Sequence, residues 1–228
     1  LPLAAGILTA IVIGAKVIPP LMEAYPVGSR ALFFGLVAAS LVIPWRRIRA
    51  LPGWGYAAGA AAGAAAFFLV GLPIGREADP ALLRVFASAA VAICAMILPG
   101  VSGAFLLKVL GIYEPTLAAI SDVNAAYVLV FVLGAATGIT LFSKLLSYLL
   151  DHHHDLTMIV LVGLLAGSLR ALWPWQGTRL VHGELVHTPA ELLPPPDLTS
   201  ALVIGGVALV GFALVSGLTW LGARKGEV

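Results

Sequence analysis

A chain of 228 residues with 61% hydrophobic and only 11% charged residues, at a mean hydropathy of +1.04, has too little polar surface for a water-soluble globule. Its 13 basic and 11 acidic side chains leave a net charge of +2, too balanced and too dispersed for a nucleic-acid partner. One cysteine, Cys94, allows no internal disulfide, and continuous apolar runs rich in Ala, Leu, Gly and Val exclude the alternating segments of a β-barrel.

An all-α polytopic membrane protein remains. A crossing consumes about 20 apolar residues, and six segments qualify, near 3–24, 29–45, 54–75, 124–150, 156–175 and 198–222. The first begins without the basic flank and cleavage pattern of a signal peptide. Between the third and fourth lies a different object, residues 84–120. Its apolar arm Val85 to Leu98 reaches only about 21 Å as a helix. The break Pro99-Gly100-Val101-Ser102-Gly103 follows, then a shorter arm, Ala104 to Ile112, which ends where Glu114 and Pro115 mark an exit from helix or lipid. Two short arms around a broken apex predict a re-entrant hairpin, with two ordinary crossings as the alternative.

Sliding the chain by 128 positions lays Ala5 to Trp45 over Leu133 to Trp173, and 11 of 41 positions coincide. Leu and Ala coincidences are cheap in so apolar a chain. The weight therefore rests on Lys16/Lys144, Gly35/Gly163, Ser40/Ser168 and Trp45/Trp173. The duplication divides the chain into a first repeat, 1–83, with three transmembrane helices, and a second, 84–228, with the hairpin plus three more. Three crossings and a hairpin that returns to its own side separate equivalent helices, so the copies should be inverted, the architecture of secondary transporters. By the same offset the first repeat's hairpin is missing and should precede Leu1.

Parity places Arg46, Arg47 and Arg49 on the side of Arg224 and Lys225, expected to be cytoplasmic. The segment from Gln176 to Asp197, with Pro194-Pro195-Pro196, His182 and His187, is then an external loop.

Lys16 and Lys144 are the foremost candidates for chemistry. A cation at the bilayer centre costs about 3 kcal/mol, and the repeat puts both lysines at equivalent positions, suited to an anion. The competing reading is that each snorkels its amine to the interface. Lys108 could approach the same place. At the apex, Gly100 and Gly103 let backbone amides turn inward, and Ser102 offers a hydroxyl at the start of the second arm; free amides at a helix start bind phosphate or carboxylate. A simple packed kink is the alternative. Glu114 and Asp122 could be proton or ion sites, or interfacial anchors. His152, His153 and His154 fit a solvated turn better than a metal site, because successive residues do not converge on one ion. Gly55, Gly59 and Gly63 form a face for close helix packing. Nothing calls for a metal or a cofactor, and there is no Walker motif.

Leu98-Pro99-Gly100-Val101-Ser102-Gly103, followed by Leu110-Gly111-Ile112-Tyr113-Glu114, resembles the signature of the PopT-type polyprenyl-phosphate transporter family. The resemblance extends over nearly the whole chain, including the repeated lysine helix and the Gly-Leu-xxx-Ser-Leu element. It implies a flippase returning undecaprenyl phosphate, the lipid carrier for cell-envelope glycans, across the bacterial plasma membrane. On the charge placement read above, its phosphate would be held by Lys16, Lys144, Lys108, Gly100, Ser102 and Gly103, with Glu114 available for coupling. The family pattern commonly continues with Gly and Thr, where this chain has Ala104 and Phe105. Pro-Gly-x-Ser also resembles the active-site hairpin of undecaprenyl-pyrophosphate phosphatase. That enzyme has an arginine where this chain has Gly103, and a glutamate-rich partner motif that no apolar segment here supplies. A small-solute or ion permease is the remaining alternative.

Overall fold

The computed structural model describes residues 6, 14, 16–18, 20–72, 79–97, 103–181 and 184–224. Residues 16–18 and 20–24 are helical and lead into α1, Pro26–Ser40. There follow α2 (Val42–Arg46), α3 (Gly53–Val70), α4 (Leu82–Ile97), α5 (Gly103–Val109), α6 (Tyr113–Ser121), α7 (Ala125–His152) and α8 (His154–Ser168). A 3-10 turn, Leu169–Leu172, then precedes strands β1 (Gln176–Val181) and β2 (Glu184–Leu192) and the final helix α9, Leu198–Arg224. Among the described residues, five helical stretches are long and apolar enough to cross a membrane: Pro26–Arg46, Gly53–Val70, Ala125–His152, His154–Leu172 and Leu198–Gly222. The chain is a multi-pass helical membrane protein.

Two compact units emerge from the packing. One comprises residues 41–171 and the other joins 1–40 with 172–228. In the first, α3 and α8 run parallel, because Gly59 lies on Ile159, Gly63 on Gly163, and Gly71 on Arg170. The small residues expected to let helices approach do so here at Gly59 and Gly63, whereas the space beside Gly55 is filled by Leu51 of its own segment. Helices α4 and α7 also run parallel, through Gly134 on Phe86 and Gly138 on Ala90. At 28 residues α7 spans about 42 Å. Asn124 caps it, accepting the Tyr127 amide at 3.2 Å.

After α4 the chain doubles back. Gly103 is buried against Ala92 and Met96 near the end of α4, and the Arg84 guanidinium, at the start of α4, donates to the Leu110 carbonyl at 3.0 Å. Gly111, at φ 77°, takes the left-handed conformation that a side chain would resist, and α6 leaves α5 at an angle of 104°. The arm that might have run on through Pro115 therefore turns instead. Pro115 sits in the first turn of α6, where its missing amide hydrogen costs nothing. The base of this hairpin is pinned by buried Val85, Ala119 and Tyr127, and by the hydroxyls of Thr116 and Tyr127, 2.9 Å apart.

In the second unit α1 packs on α9: Gly35 sits on Ala208 and Phe212, and Gly211 on Leu32 and Leu36. Arg30, buried at the start of α1, donates through Nε to the Pro174 carbonyl at 3.1 Å. Phe34 meets the Trp173 ring edge-on at 6.1 Å. The segment expected as a plain loop after residue 175 instead forms a β-hairpin, with β1 antiparallel to β2 and paired from Gly177↔Thr188 to Val181↔Glu184. Its β-branched positions Thr178, Val181, Val186 and Thr188 favour strand, and the Leu193 amide closes it on the Trp175 carbonyl at 2.9 Å. The prolines that pointed to a loop lie mostly beyond β2, at 194–196.

One structural element occurs in both units. The amide of Tyr25 donates to the carbonyl of Leu21 at 2.9 Å, and 128 residues later the amide of His153 donates to that of Leu149 at 2.8 Å. The Ser29 hydroxyl reaches back eight residues to Leu21 (3.3 Å), as the Thr157 hydroxyl does to Leu149 (3.2 Å). Both following helices end at the equivalent serine, Ser40 or Ser168, whose hydroxyl bonds the preceding turn at Leu36 (2.9 Å) or Leu165 (2.8 Å); such back-bonding loosens a helix. A glycine in the middle of each, Gly35 or Gly163, presses on a carbonyl and on the amide four residues further along the partner helix: Ala208 and Phe212, or Gly59 and Gly63. The correspondence extends from residue identities to hydrogen bonds.

Candidate functional site

The lysines stand on the helices that enter these corners. Lys16 is exposed in the helical stretch before α1, and Lys144 is exposed in the second half of the long helix α7, two turns before its end. Among the described residues neither makes an ion pair or hydrogen bond to another side chain. In α7, Thr140 and Thr137 lie one and two turns before Lys144 on its face. Their hydroxyls donate to the Ala136 and Leu133 carbonyls at 2.7 and 2.8 Å, leaving their lone pairs outward. Lys16 belongs to one packing unit and Lys144 to the other.

Of the apex, Gly100 and Ser102 lie outside the described residues, and Gly103 is buried where α5 meets α4. A side chain at Gly103 would come within 2.9 Å of the Ala92 carbonyl oxygen, so only glycine lets the two arms close. Lys108 is half-buried at the other end of α5, with Nζ 4.7 Å from the centre of the Tyr113 ring, a cation–π contact. This places Lys108 at the mouth of the hairpin. Glu114 is exposed in the first turn of α6, where the helix dipole favours a negative charge.

Three basic groups that spacing alone did not single out are put to structural use. Arg30 and Arg84 are tied to carbonyls as described, and the Arg170 guanidinium donates to the Phe67 carbonyl at 3.1 Å while lying 4.4 Å from the Phe67 ring centre. The histidine turn forms one wall of a cavity of ≈ 560 Å³, lined among others by Arg49, Trp54, Asp151, His153 and Asp155. Asp155 secures this corner by accepting the backbone amides of Arg49 (3.1 Å) and Ala50 (2.9 Å). His152 Nδ1 lies 3.0 Å from the Tyr148 carbonyl, and His154 Nδ1 lies 3.1 Å from Asp155. Among the described residues no three His, Cys, Asp or Glu converge as metal ligands. The only clue to the Asp155 anchor was a carboxylate at a helix start.

Parallel apolar helices in close glycine contact, a helical hairpin that folds back on itself and a corner whose hydrogen bonds recur 128 residues on define a class: multi-pass helical membrane proteins. The chain belongs to the undecaprenyl phosphate translocase-like family, whose model matches residues 1–185. It is 36% identical over 175 residues to the polyprenyl-phosphate transporter of Vibrio cholerae serotype O1, covering 76% of this chain and 56% of that protein. It is 34% identical over 106 residues to the polyprenyl-phosphate transporter of Staphylococcus aureus, covering 44% of this chain and 38% of that one. The chain thus spans about half, or less, of the curated relatives it matches. No solved structure matches it.

Proposed function

We propose that the protein moves a polyprenyl phosphate, undecaprenyl phosphate in a bacterial plasma membrane, between leaflets without hydrolysing it. The observation that carries this reading is the duplicated lysine helix with its corner, in a chain whose family is named for translocating that lipid. Lys16 and Lys144, the amides of Gly100 and Gly103 and the Ser102 hydroxyl receive the phosphate, with Lys108 at the hairpin mouth and Glu114 available for coupling. Charge-assisted bonds from ammonium groups and amides suit a phosphate, and the prenyl tail needs no protein cavity because it stays in lipid. The two copies, 1–83 and 84–228, are inverted in the membrane, and residues 84–120 are a re-entrant hairpin. The return of Leu110 to Arg84 and the repeated corner support this arrangement. Such repeats present one site alternately to each side.

The test is native mass spectrometry of the whole protein with undecaprenyl phosphate and undecaprenyl pyrophosphate, alongside an assay for released inorganic phosphate. The reading requires bound undecaprenyl phosphate and no phosphate release. Lysine-dependent release from the pyrophosphate would turn the assignment to a hydrolase, and binding of neither lipid would turn it to a small-solute permease.

A further inference from the structure

Each lysine has a second charged residue in register with it. Asp151 follows Lys144 by seven positions and Glu23 follows Lys16 by seven, while Thr137 and Thr9 precede the same lysines by seven. In α7, where seven residues make two turns, Thr137, Lys144 and Asp151 follow one face, each within about 20° of the next and about 10.5 Å from it along the axis. Both carboxylates are exposed. Both also sit at equivalent places, two residues past the carbonyl of Leu21 or Leu149 that closes the corner. Random apolar sequence does not place an acid twice at a corner whose hydrogen bonds also repeat.

We propose that Glu23 and Asp151 are release residues, a function that rests on the transporter reading above. Each lysine captures the phosphate from lipid, and the carboxylate two turns towards the helix end opposes its retention. A site built of cations alone would hold a phosphate too tightly to turn over, and transport requires binding weak enough to leave. At about 10 Å and an effective dielectric near 20, one unit charge changes an equilibrium constant about tenfold. The empty lysine–carboxylate face is neutral and the loaded face is negative, so loading favours departure. In inverted copies one such carboxylate serves each face of the membrane. The surroundings of the two acids differ. Asp151 shares its cavity with Arg49, whose charge offsets its own, whereas the residues after Glu23 are Ala24, Tyr25 and Pro26. Glu23 is therefore the stronger of the two.

The experiment compares Glu23→Gln and Asp151→Asn with the wild type, as whole proteins in proteoliposomes, reading both the affinity for undecaprenyl phosphate and its rate of exchange between leaflets. Each substitution should raise affinity, about tenfold for Glu23→Gln and less for Asp151→Asn, and slow exchange. Glu23→Asp and Asp151→Glu keep the charge and should behave as wild type, which separates the electrostatic effect from damage to the corner. Unchanged affinity and exchange in both neutral variants, or weaker binding, would overturn the proposal while leaving the transporter reading intact. A wild type that neither binds nor exchanges the lipid would defeat that reading, and this inference with it.

Discussion

The two copies of the corner, around Leu21–Ser40 and Leu149–Ser168, share a geometry but differ in what surrounds it. In both, a hydroxyl eight residues on closes the turn and a mid-helix glycine lies on a partner backbone. The first copy has Val27 where the second has Asp155, whose carboxylate accepts the amides of Arg49 and Ala50. The first buries Arg30 against the Pro174 carbonyl, where the second buries the apolar Met158. What repeats is the part that bends and packs the chain, and what varies is the part that ties each corner to its neighbours. The shared element thus meets the constraint imposed by lipid, where every backbone polar group needs a partner, while its attachments differ.

The sharpest way to break this comparison is topological, since its outcome is all or none. In a Cys94→Ser background, Ala24→Cys and His152→Cys occupy equivalent places in the two corners and should react with a membrane-impermeant maleimide from opposite faces. Labelling of both from one face would make the copies parallel. Next in size are the glycines. Gly35→Val or Gly163→Val forces a branched side chain into a partner carbonyl and should destabilise the protein by about 3 kcal/mol or more, read as a lowered unfolding midpoint in detergent. Equal losses would show that the two packings are energetically equivalent. Smaller still are the corner hydroxyls, where Ser29→Ala and Thr157→Val should each cost about 1 kcal/mol. A loss at one site alone would make the repeated bond incidental there.

The smallest effect depends on pH. Helices α3 and α9 hold corresponding places against α8 and α1, but only α9 starts with a side-chain cap, in which Asp197 accepts the Ser200 amide at 2.7 Å and its hydroxyl at 3.0 Å. At Pro52, before α3, there is none. The bonds from Ser200 hold the Asp197 carboxyl below the usual aspartate range. The stabilisation is therefore complete above the ordinary pKa of about 3.9, and is lost as pH falls through the lowered folded-state value. Acidification below pH 4 should raise amide exchange in the first turn of α9 and leave α3 unchanged, and Asp197→Ala should abolish the difference.

The helical, membrane-spanning character of the chain was legible in the sequence because lipid makes errors costly. Long apolar runs, a buried-seeming lysine and a Pro-Gly break each have few physical explanations. Gly35/Gly163 was visible as an identity, and proved to mark a packing contact. Ser29/Thr157 was not visible, because the two residues differ and their bond spans two helices rather than one turn. The Asp155 anchor was hidden for a similar reason, its acceptor and donors being over a hundred residues apart. The β-hairpin was missed because clustered prolines outweighed a short run of β-branched residues. Of the site, the lysines and the glycine of the closing arm stood out, whereas the placing of Lys108 over Tyr113 depended on the turn at Gly111.

The central claim is that the paired lysines carry a polyprenyl phosphate, and leaflet exchange in proteoliposomes tests it most directly. With the whole protein, undecaprenyl phosphate should exchange between leaflets without phosphate release. Lys16→Ala and Lys144→Ala should each remove a charge-assisted contact worth about 1.5 to 3 kcal/mol and weaken binding tenfold or more, with Arg at either position restoring only part. Normal exchange in both Ala variants would contradict the account and return these lysines to the role of side chains that merely snorkel to the interface.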